Sequence, residues 1–177
     1  MQPMEDVMTQ RALAMAAILG LGLFTGAAAG QASKAAKAQF VGTWALVSIQ
    51  YVRPDGRKIE PFGPNAKGML VFDATGHFAT QAMSSDRPKF ASDNRMIGTP
   101  EEYKAVSQGV VAYFGTYTVD EAHRIVTLHI ERSSFPNWEG TDQKRVFSFV
   151  NDELHYTAAS STANPAESAQ LVWKRIR

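Results

Sequence analysis

The sequence has 177 residues and no cysteine, which excludes disulfide bonds, a thiolate-bound metal and acylation at a lipoprotein cysteine. It also lacks a dominant charge, because 18 basic and 17 acidic residues give a formal net charge of +1. The electrostatic field of a protein with so small a net charge is too weak to attract nucleic acid or an anionic membrane. No glycine-rich phosphate loop and no G-x-S-x-G turn are present, which disfavours nucleotide cofactors and serine hydrolysis. We therefore expect neither a cofactor nor a nucleic acid partner.

An apolar run long enough to span a bilayer is missing near the N-terminus. The apolar run there, residues 12–24, is shorter than the roughly 20 residues that are required. Arg11 precedes this run and the small residues 26–29 follow it, as in a secretory signal peptide with its cleavage site. We expect residues 1–29 to be a signal peptide that is cleaved after Ala29. A retained membrane anchor is the alternative.

The remainder of the chain is predicted to form one exported domain. The acidic residues Glu5 and Asp6 are unusual in a leader, and translation from Met8 would remove them. After the signal we expect a short tether, 30–39, and then one domain, 40–177, whose length suits a single core. An exported chain without cysteine predicts a soluble periplasmic or secreted protein, with no stable membrane insertion after cleavage. These patterns do not encode the oligomeric state.

The domain is predicted to be all-β, because segments rich in β-branched and aromatic residues alternate with turn residues. The predicted strands are Thr43–Val52, Gly68–Asp73, His77–Ser84, Val110–Val119, Arg124–Arg132, Gln143–Val150, Leu154–Ala159 and Ala169–Ile176. Antiparallel strands in this number either split into a sandwich or close into an up-and-down barrel, and closure removes the exposed edges. We predict the eight-stranded antiparallel barrel, which has room for one small ligand.

One short helix interrupts the strands. Thr99 is predicted to cap its N-terminus together with Glu102, and Gly109 is placed to end it. We expect Tyr103 to face inward. The preceding segment, 85–98, has few apolar anchors, so we predict that this loop and the helix form a flap over one mouth of the barrel.

Two short motifs favour the barrel over the sandwich. Gly42-Thr43-Trp44 on the first strand and Arg175 on the last resemble the lipocalin arrangement, in which an arginine of the closing strand covers the tryptophan at the barrel base. Such a cation–π contact contributes roughly 0.5–2 kcal/mol. The alternative is that Trp44 and Trp173 are two ordinary core aromatics.

Longer segments carry a wider resemblance. The segments FVGTWALVS, PFGPNAKGMLVFDATGHF, GTPEEYKA, AYFGTYTVD and SSFPNWEGTDQKRVF resemble the bacterial and fungal lipocalin-like domain family, over nearly the whole chain after Gln39. The resemblance implies a small barrel, and most members of the family have no assigned activity. It also implies that the family's characteristic site includes Asn137, Trp138, Gly140, Gln143 and Arg145.

Strand alternation predicts where the polar side chains point. Gln143, Arg145 and Phe147 share one face of their strand, and Lys144 lies on the other. Because lysine favours water, we expect the Arg145 face to be the interior. A buried arginine needs an anionic or carbonyl partner, which is either Glu131 or a group on a ligand.

The neighbouring strands offer further polar groups. If His129 and Glu131 point inward beside Tyr117 and Arg145, they form a polar patch that can orient a ligand or move a proton. Periodicity equally allows His129 and Glu131 to lie outside in water. We do not predict a metal site, because the histidines lack ligand spacing, although this pair could supply two ligands.

Two functions are consistent with these patterns. The first is binding of a small hydrophobic molecule that carries an acidic or carbonyl group. The second is a cofactor-free isomerase, cyclase or lyase in which His129 or Glu131 acts as acid or base. The expected ligand-binding residues are Tyr113, Tyr117, Asn137, Trp138, Gln143, Arg145 and Phe147.

Overall fold

The structure is a computed structural model, and it describes residues 37–159 and 167–177. Its strands are β1 (Gly42–Val52), β2 (Lys58–Ile59), β3 (Lys67–Phe72), β4 (His77–Met83), β5 (Val110–Asp120), β6 (Ile125–Ser133), β7 (Asp142–Val150), β8 (Glu153–Ala158) and β9 (Ser168–Arg175). They form one antiparallel sheet in the order β2-β1-β3-β4-β5-β6-β7-β8-β9, and β1 also pairs with β9. The predicted signal peptide, 1–29, lies outside the described residues.

The additional pairing closes the sheet into a barrel. Trp44 pairs with Arg175 at one end of the β1 and β9 ladder, and Val52 pairs with Ser168 at the other. Strand β2 contributes only two residues and pairs with the end of β1, so eight strands form the wall. The predicted eight-stranded antiparallel barrel is therefore confirmed, and the sandwich is excluded.

The two ends of the barrel differ in the length of their connections. Short turns follow β3, β5 and β7 at one end, which we call the closed end. The connections at the opposite end, which we call the open end, are the longer segments 53–66, 84–109, 134–141 and 159–167. Because antiparallel strands alternate in direction, every long connection falls at the same end. The wider mouth of the barrel is therefore expected at the open end.

The closed end is filled by aromatic side chains. Phe40, in the short helical stretch 37–40, is fully buried and packs edge-on against Phe72, with ring centroids 5.2 Å apart. Its carbonyl accepts a hydrogen bond of 2.9 Å from Trp44 Nε1. Arg175 covers the Trp44 ring as the lipocalin resemblance implied. Any ligand inside the barrel must therefore lie toward the open end.

Helix α1 (Pro100–Gln108) begins and ends where the sequence predicts. Thr99 accepts from Glu102 N, the Glu102 side chain accepts from Thr99 N, and Gly109 ends the helix. The inward orientation expected for Tyr103 is wrong. Its side chain is 42% exposed and packs edge-on against Phe90, at 5.5 Å between ring centroids. The helix therefore stabilises its own loop more than the barrel core. Among the described residues, no helix has the length and hydropathy needed to cross a membrane.

Candidate functional site

Strand β7 carries a charged side chain into the barrel. Gln143, Arg145 and Phe147 face the interior, whereas Lys144 and Val146 are exposed. Arg145 keeps only 8% of its surface accessible. The orientation predicted from the exposed position of Lys144 is therefore confirmed, and an arginine lies among apolar side chains of the barrel.

The neighbours of Arg145 do not neutralise its charge. Its Nη2 donates to the amide oxygen of Gln143, and its Nη1 donates to the carbonyl of Lys144 at 3.3 Å. In the described part of the chain its Nε has no hydrogen-bond partner, and no carboxylate forms an ion pair with it. Buried arginines are normally paired, so this guanidinium is an unusual feature of the interior.

Two more polar atoms lie unpartnered on the neighbouring strands. Tyr156 on β8 and Trp173 on β9 are each 1% exposed. Over residues 37–159 and 167–177, neither the Tyr156 hydroxyl nor Trp173 Nε1 has a hydrogen-bond partner. Buried polar groups of native proteins are bonded in the great majority of cases. With Arg145 Nε, these two atoms form a cluster on three consecutive strands, which we call the interior donor cluster.

The ionisation of Tyr156 reflects this environment. Burial raises the pKa of its hydroxyl above the ordinary value of 10.0, and the nearby Tyr113 hydroxyl raises it further. The positive charge of Arg145 opposes this rise in pKa without reversing it, and so does the Trp173 indole N–H, which lies near the hydroxyl but outside hydrogen-bond geometry. Tyr156 is therefore protonated at neutral pH and has a hydrogen to donate. The ring centroids of Tyr156 and Trp173 are 6.5 Å apart, and Phe147, two residues from Arg145 on the same face of β7, pairs with Tyr156.

The connection between β6 and β7 packs over the open end. Trp138, in the 3-10 turn Pro136–Trp138, is half-buried and contacts buried Tyr113 edge-on, with ring centroids 5.3 Å apart. Gly140 N donates to the carbonyl of Ile130 at 2.8 Å, which holds the turn against the wall. Asn137 is exposed on this turn. Trp138 therefore closes one side of the mouth, and Asn137 lies at its rim.

Tyr117 lies deeper, near the closed end. Its side chain is 3% exposed, and its hydroxyl donates to the carbonyl of Asp73 at 2.8 Å. Burial, followed by the negative charge of Asp73, raises the pKa of Tyr117 to about 12. Because the hydroxyl is already bonded, Tyr117 offers the interior only its ring.

The inward positions considered for His129 and Glu131 are wrong. Both side chains are exposed on the outer face of β6, while Val126, Leu128 and Ile130 are fully buried. The apolar side chains face the interior because burying them is favourable, whereas burying polar or charged side chains is costly. His129 Nδ1 lies 2.8 Å from Asp142 Oδ1 in an exposed pair.

This orientation corrects two expectations. Glu131 is not the partner of Arg145. Neither His129 nor Glu131 can act as acid or base on a molecule inside the barrel, which removes the residues on which the enzymatic alternative depended. Across the described ranges, no group of three or more histidine or carboxylate side chains is arranged to hold a metal.

A groove on the outside of the barrel is distinct from the donor cluster. It has a volume of about 490 Å³, and its apolar floor includes the outward-facing side chains of Met69, Val71, Ala79 and Phe114. These residues lie on the opposite face of the wall from Arg145. The groove therefore offers apolar surface, and its lining does not include Arg145, Tyr156 or Trp173.

The sequence analysis missed the polar role of Tyr156 and Trp173. Tyr156 was not among the expected ligand-binding residues, and Trp173 was considered only as a core aromatic. Alternation in β8 does indicate an inward Tyr156, because Leu154 and Ala158 on the same face are buried as well. Nothing in the sequence indicates that its hydroxyl would lack a partner.

A closed eight-stranded barrel has an interior that is either filled by side chains or wide enough for one small ligand. The family model described as the lipocalin-like domain matches residues 41–176, and this chain belongs to that family. A 4'-hydroxy-3'-methoxypropiophenone carrier protein of Aspergillus oryzae is 29% identical, in an alignment covering 55% of this chain and 96% of that protein. The family and this relative suggest ligand binding.

Two solved structures are also similar. A lipocalin-like protein from Bacteroides uniformis has a TM-score of 0.41 at 12% identity, covering 78% of this chain and 99% of that one. An uncharacterized protein from Bacteroides eggerthii has a TM-score of 0.39 at 13% identity, covering 77% and 99%. Because both TM-scores are low, the fold assignment depends on the strand pairing and the family match.

Proposed function

We propose that this protein binds a small hydrophobic molecule through an acidic or carbonyl group, inside the barrel. The observation that carries the proposal is the interior donor cluster of Arg145, Tyr156 and Trp173. Leaving a buried donor unbonded costs about 1–3 kcal/mol, and more when the group is charged. A ligand oxygen at the cluster would remove that cost, which makes these residues a favourable binding point.

The surrounding side chains suit an apolar ligand body. Tyr113 and Phe147 are buried in the same interior, and Trp138 lies at the mouth. The Gln143 amide oxygen accepts a hydrogen bond from Arg145 Nη2. Its proposed role is therefore to orient the guanidinium toward the ligand. Tyr117 is proposed to supply apolar surface at the deep end of the site.

The named relative supports a ligand of this kind. The Aspergillus protein is named as a carrier of 4'-hydroxy-3'-methoxypropiophenone, a small aromatic ketone with a phenolic hydroxyl. A ketone or phenol oxygen can accept hydrogen bonds from a donor cluster. The relative covers only part of this chain, so the ligand of the present protein is proposed by chemical class and not by name.

The proposal is tested by native mass spectrometry of the protein purified from its own host, followed by extraction of any bound molecule. We expect a stoichiometric small molecule in the wild-type protein and in Lys144→Ala, which loses an exposed charge next to the site. The molecule should be reduced or absent in Arg145→Ala. An empty wild-type protein that also shows no binding of 4'-hydroxy-3'-methoxypropiophenone by tryptophan fluorescence would overturn the proposal.

We also propose that the mature protein is periplasmic or secreted. The support is the run 12–24 with its preceding Arg11 and the small residues that follow. Expression of the full chain in a Gram-negative host, followed by fractionation and intact mass measurement, tests this. Loss of residues 1–29 and recovery outside the cytoplasm are expected. A full-length product in the cytoplasm or membrane fraction would contradict the proposal.

A further inference from the structure

We infer that the ligand is bound as an anion, with a negatively charged oxygen set against Arg145, Tyr156 and Trp173. This inference depends on the proposed binding function and narrows it. A neutral ketone and a charged carboxylate or phenolate were equally compatible with that function. The charges and donors of the interior distinguish between them.

The first argument concerns charge. Arg145 is a buried cation whose bonded neighbours, the Gln143 amide oxygen and the Lys144 carbonyl, are both neutral. The buried acid in the described part of the chain is Glu167, and it forms an ion pair with Arg53 at 3.2 Å. An uncompensated charge in a low-dielectric interior is unfavourable. An anionic ligand supplies the compensation that the described residues do not.

The second argument concerns hydrogen-bond direction. Arginine and tryptophan side-chain nitrogens are donors only, and protonated Tyr156 adds an O–H. A ligand group that only donates, such as an amide N–H, meets a single acceptor among these three groups, the Tyr156 hydroxyl oxygen, and leaves Arg145 and Trp173 without a partner. A carboxylate or phenolate oxygen accepts without donating and has several lone pairs. Hydrogen bonds of this charge-assisted kind are about twice as strong as neutral ones.

The third argument concerns geometry. The three groups project inward from β7, β8 and β9, which are consecutive in the wall. The ring centroids of Tyr156 and Trp173 are 6.5 Å apart, and Phe147, two residues from Arg145, pairs with Tyr156. Tyr113 on β5 is buried and contacts Trp138 at the mouth, with ring centroids 5.3 Å apart. The charged oxygen is therefore held at the wall of β7 to β9. The apolar body of the ligand is left to contact Tyr113 and the mouth.

Calorimetric titration at neutral pH with matched probes tests the inference. The first pair is 3-(4-hydroxy-3-methoxyphenyl)propanoate and its primary amide, and octanoate with octanamide is a second pair of different shape. The third pair is 4'-hydroxy-3'-methoxypropiophenone and its methyl ether, 3',4'-dimethoxypropiophenone, which cannot ionise. We expect at least one anion to bind about tenfold or more tightly than its neutral partner, as charge-assisted bonds predict.

The pattern across the pairs identifies the source of the negative charge. A preference for the acids over the amides assigns a carboxylate. A preference for the phenol over its methyl ether that grows as the pH rises through the phenol's own ionisation assigns a phenolate. Equal binding within every pair would overturn the anion inference and leave the binding function intact. No binding by any of the probes would overturn both.

Variants connect the preference to the cluster. Arg145→Gln should lose the preference for the anion while it retains binding of the neutral partner. Lys144→Gln removes one exposed charge from the adjacent position and should keep the preference. Tyr156→Phe removes a single donor without changing the ring, so it provides a second measurement if Arg145→Gln does not fold. A full preference that persists in Tyr156→Phe and in any folded Arg145→Gln protein would contradict the assignment.

Discussion

The guanidinium carbon of Arg175 lies 4.1 Å from the centroid of the Trp44 ring, so the last strand of the barrel covers the first. The same guanidinium donates from Nη1 to the carbonyl of Val41 at 2.8 Å and from Nη2 to the carbonyl of Gln39. One side chain therefore joins β9, β1 and the segment that precedes β1. This contact stabilises the closed end independently of anything bound at the open end.

Arg175→Ala should lower the free energy of unfolding by about 1–2 kcal/mol, because it removes the cation–π contact and two hydrogen bonds to carbonyls. Urea denaturation followed by circular dichroism measures this loss. Lys174→Ala, at the exposed neighbouring position, is the control and should change little. Equal midpoints for the two variants would show that Arg175 is not part of the closure.

Gly115→Ala should be strongly destabilising. A Cβ at this position would lie 2.0 Å from the carbonyl oxygen of His129, where β5 and β6 shift register. The backbone of β6 has to move, which costs about 3 kcal/mol. Gly56→Ala is a useful comparison, because its Cβ meets no atom within 4 Å and only its φ of +83° is unfavourable. Thermal unfolding should place Gly115→Ala well below Gly56→Ala, and the reverse order would contradict the register shift.

Stability at high pH should depend on Tyr117. Its pKa is raised from 10.0 to about 12, so the folded protein holds this proton more tightly than the unfolded chain. Its contribution is therefore complete below pH 10 and is lost as the pH rises through about 12. Unfolding midpoints measured from pH 9 to 12 should fall more steeply in the wild type than in Tyr117→Phe. Parallel curves would show that the hydroxyl is not buried.

Stability at low pH should depend on Asp73 in the opposite sense. The N–H of His77 and the hydroxyl of Thr75 lower its pKa from 3.8 to about 2. Its contribution is therefore present above about pH 4 and is lost as the pH falls toward 2. The stability difference between the wild type and Asp73→Asn should shrink over that interval. A constant difference down to pH 2 would contradict the hydrogen bonds assigned to this turn.

Variants of the outer face should leave ligand affinity unchanged. His129 and Glu131 are exposed, and the wall of the barrel separates them from Arg145. His129→Gln and Glu131→Gln should therefore bind any probe within about twofold of the wild type, by the usual small effect of surface substitutions. Fluorescence titration checks this. A tenfold loss of affinity in either variant would show that the exposed residue does take part in the site.

The strands could be predicted from sequence because their signals are local. Each of the eight predicted strands ends within one residue of the observed position, since turns and β-branched runs mark both limits. The two-residue strand β2 was missed, because Lys58–Ile59 carries no pattern of its own. It pairs with β1 at Tyr51 and Val52, beyond the part of β1 that pairs with β3.

The site was predicted only in part, because some side-chain orientations depend on residues that are distant in sequence. Lys144 determined the face of Arg145, because the two residues alternate on one strand. No comparable neighbour determined the face of His129, so both orientations remained open until the buried set of Val126, Leu128 and Ile130 was observed. That the Tyr156 and Trp173 donors lack partners depends on what lies across the barrel, which alternation does not encode.

The closed end also determines where the chain enters and leaves the barrel. Lys37 approaches Gly76 in the turn after β3, and Arg177 donates to Asp152 in the turn after β7. Both ends of the described chain thus lie at the closed end, next to the aromatic side chains that fill it and opposite the mouth. A tag, a fusion partner or a sensor surface attached through the C-terminus would consequently face away from the entrance. Immobilised protein should then give the same binding kinetics as protein free in solution.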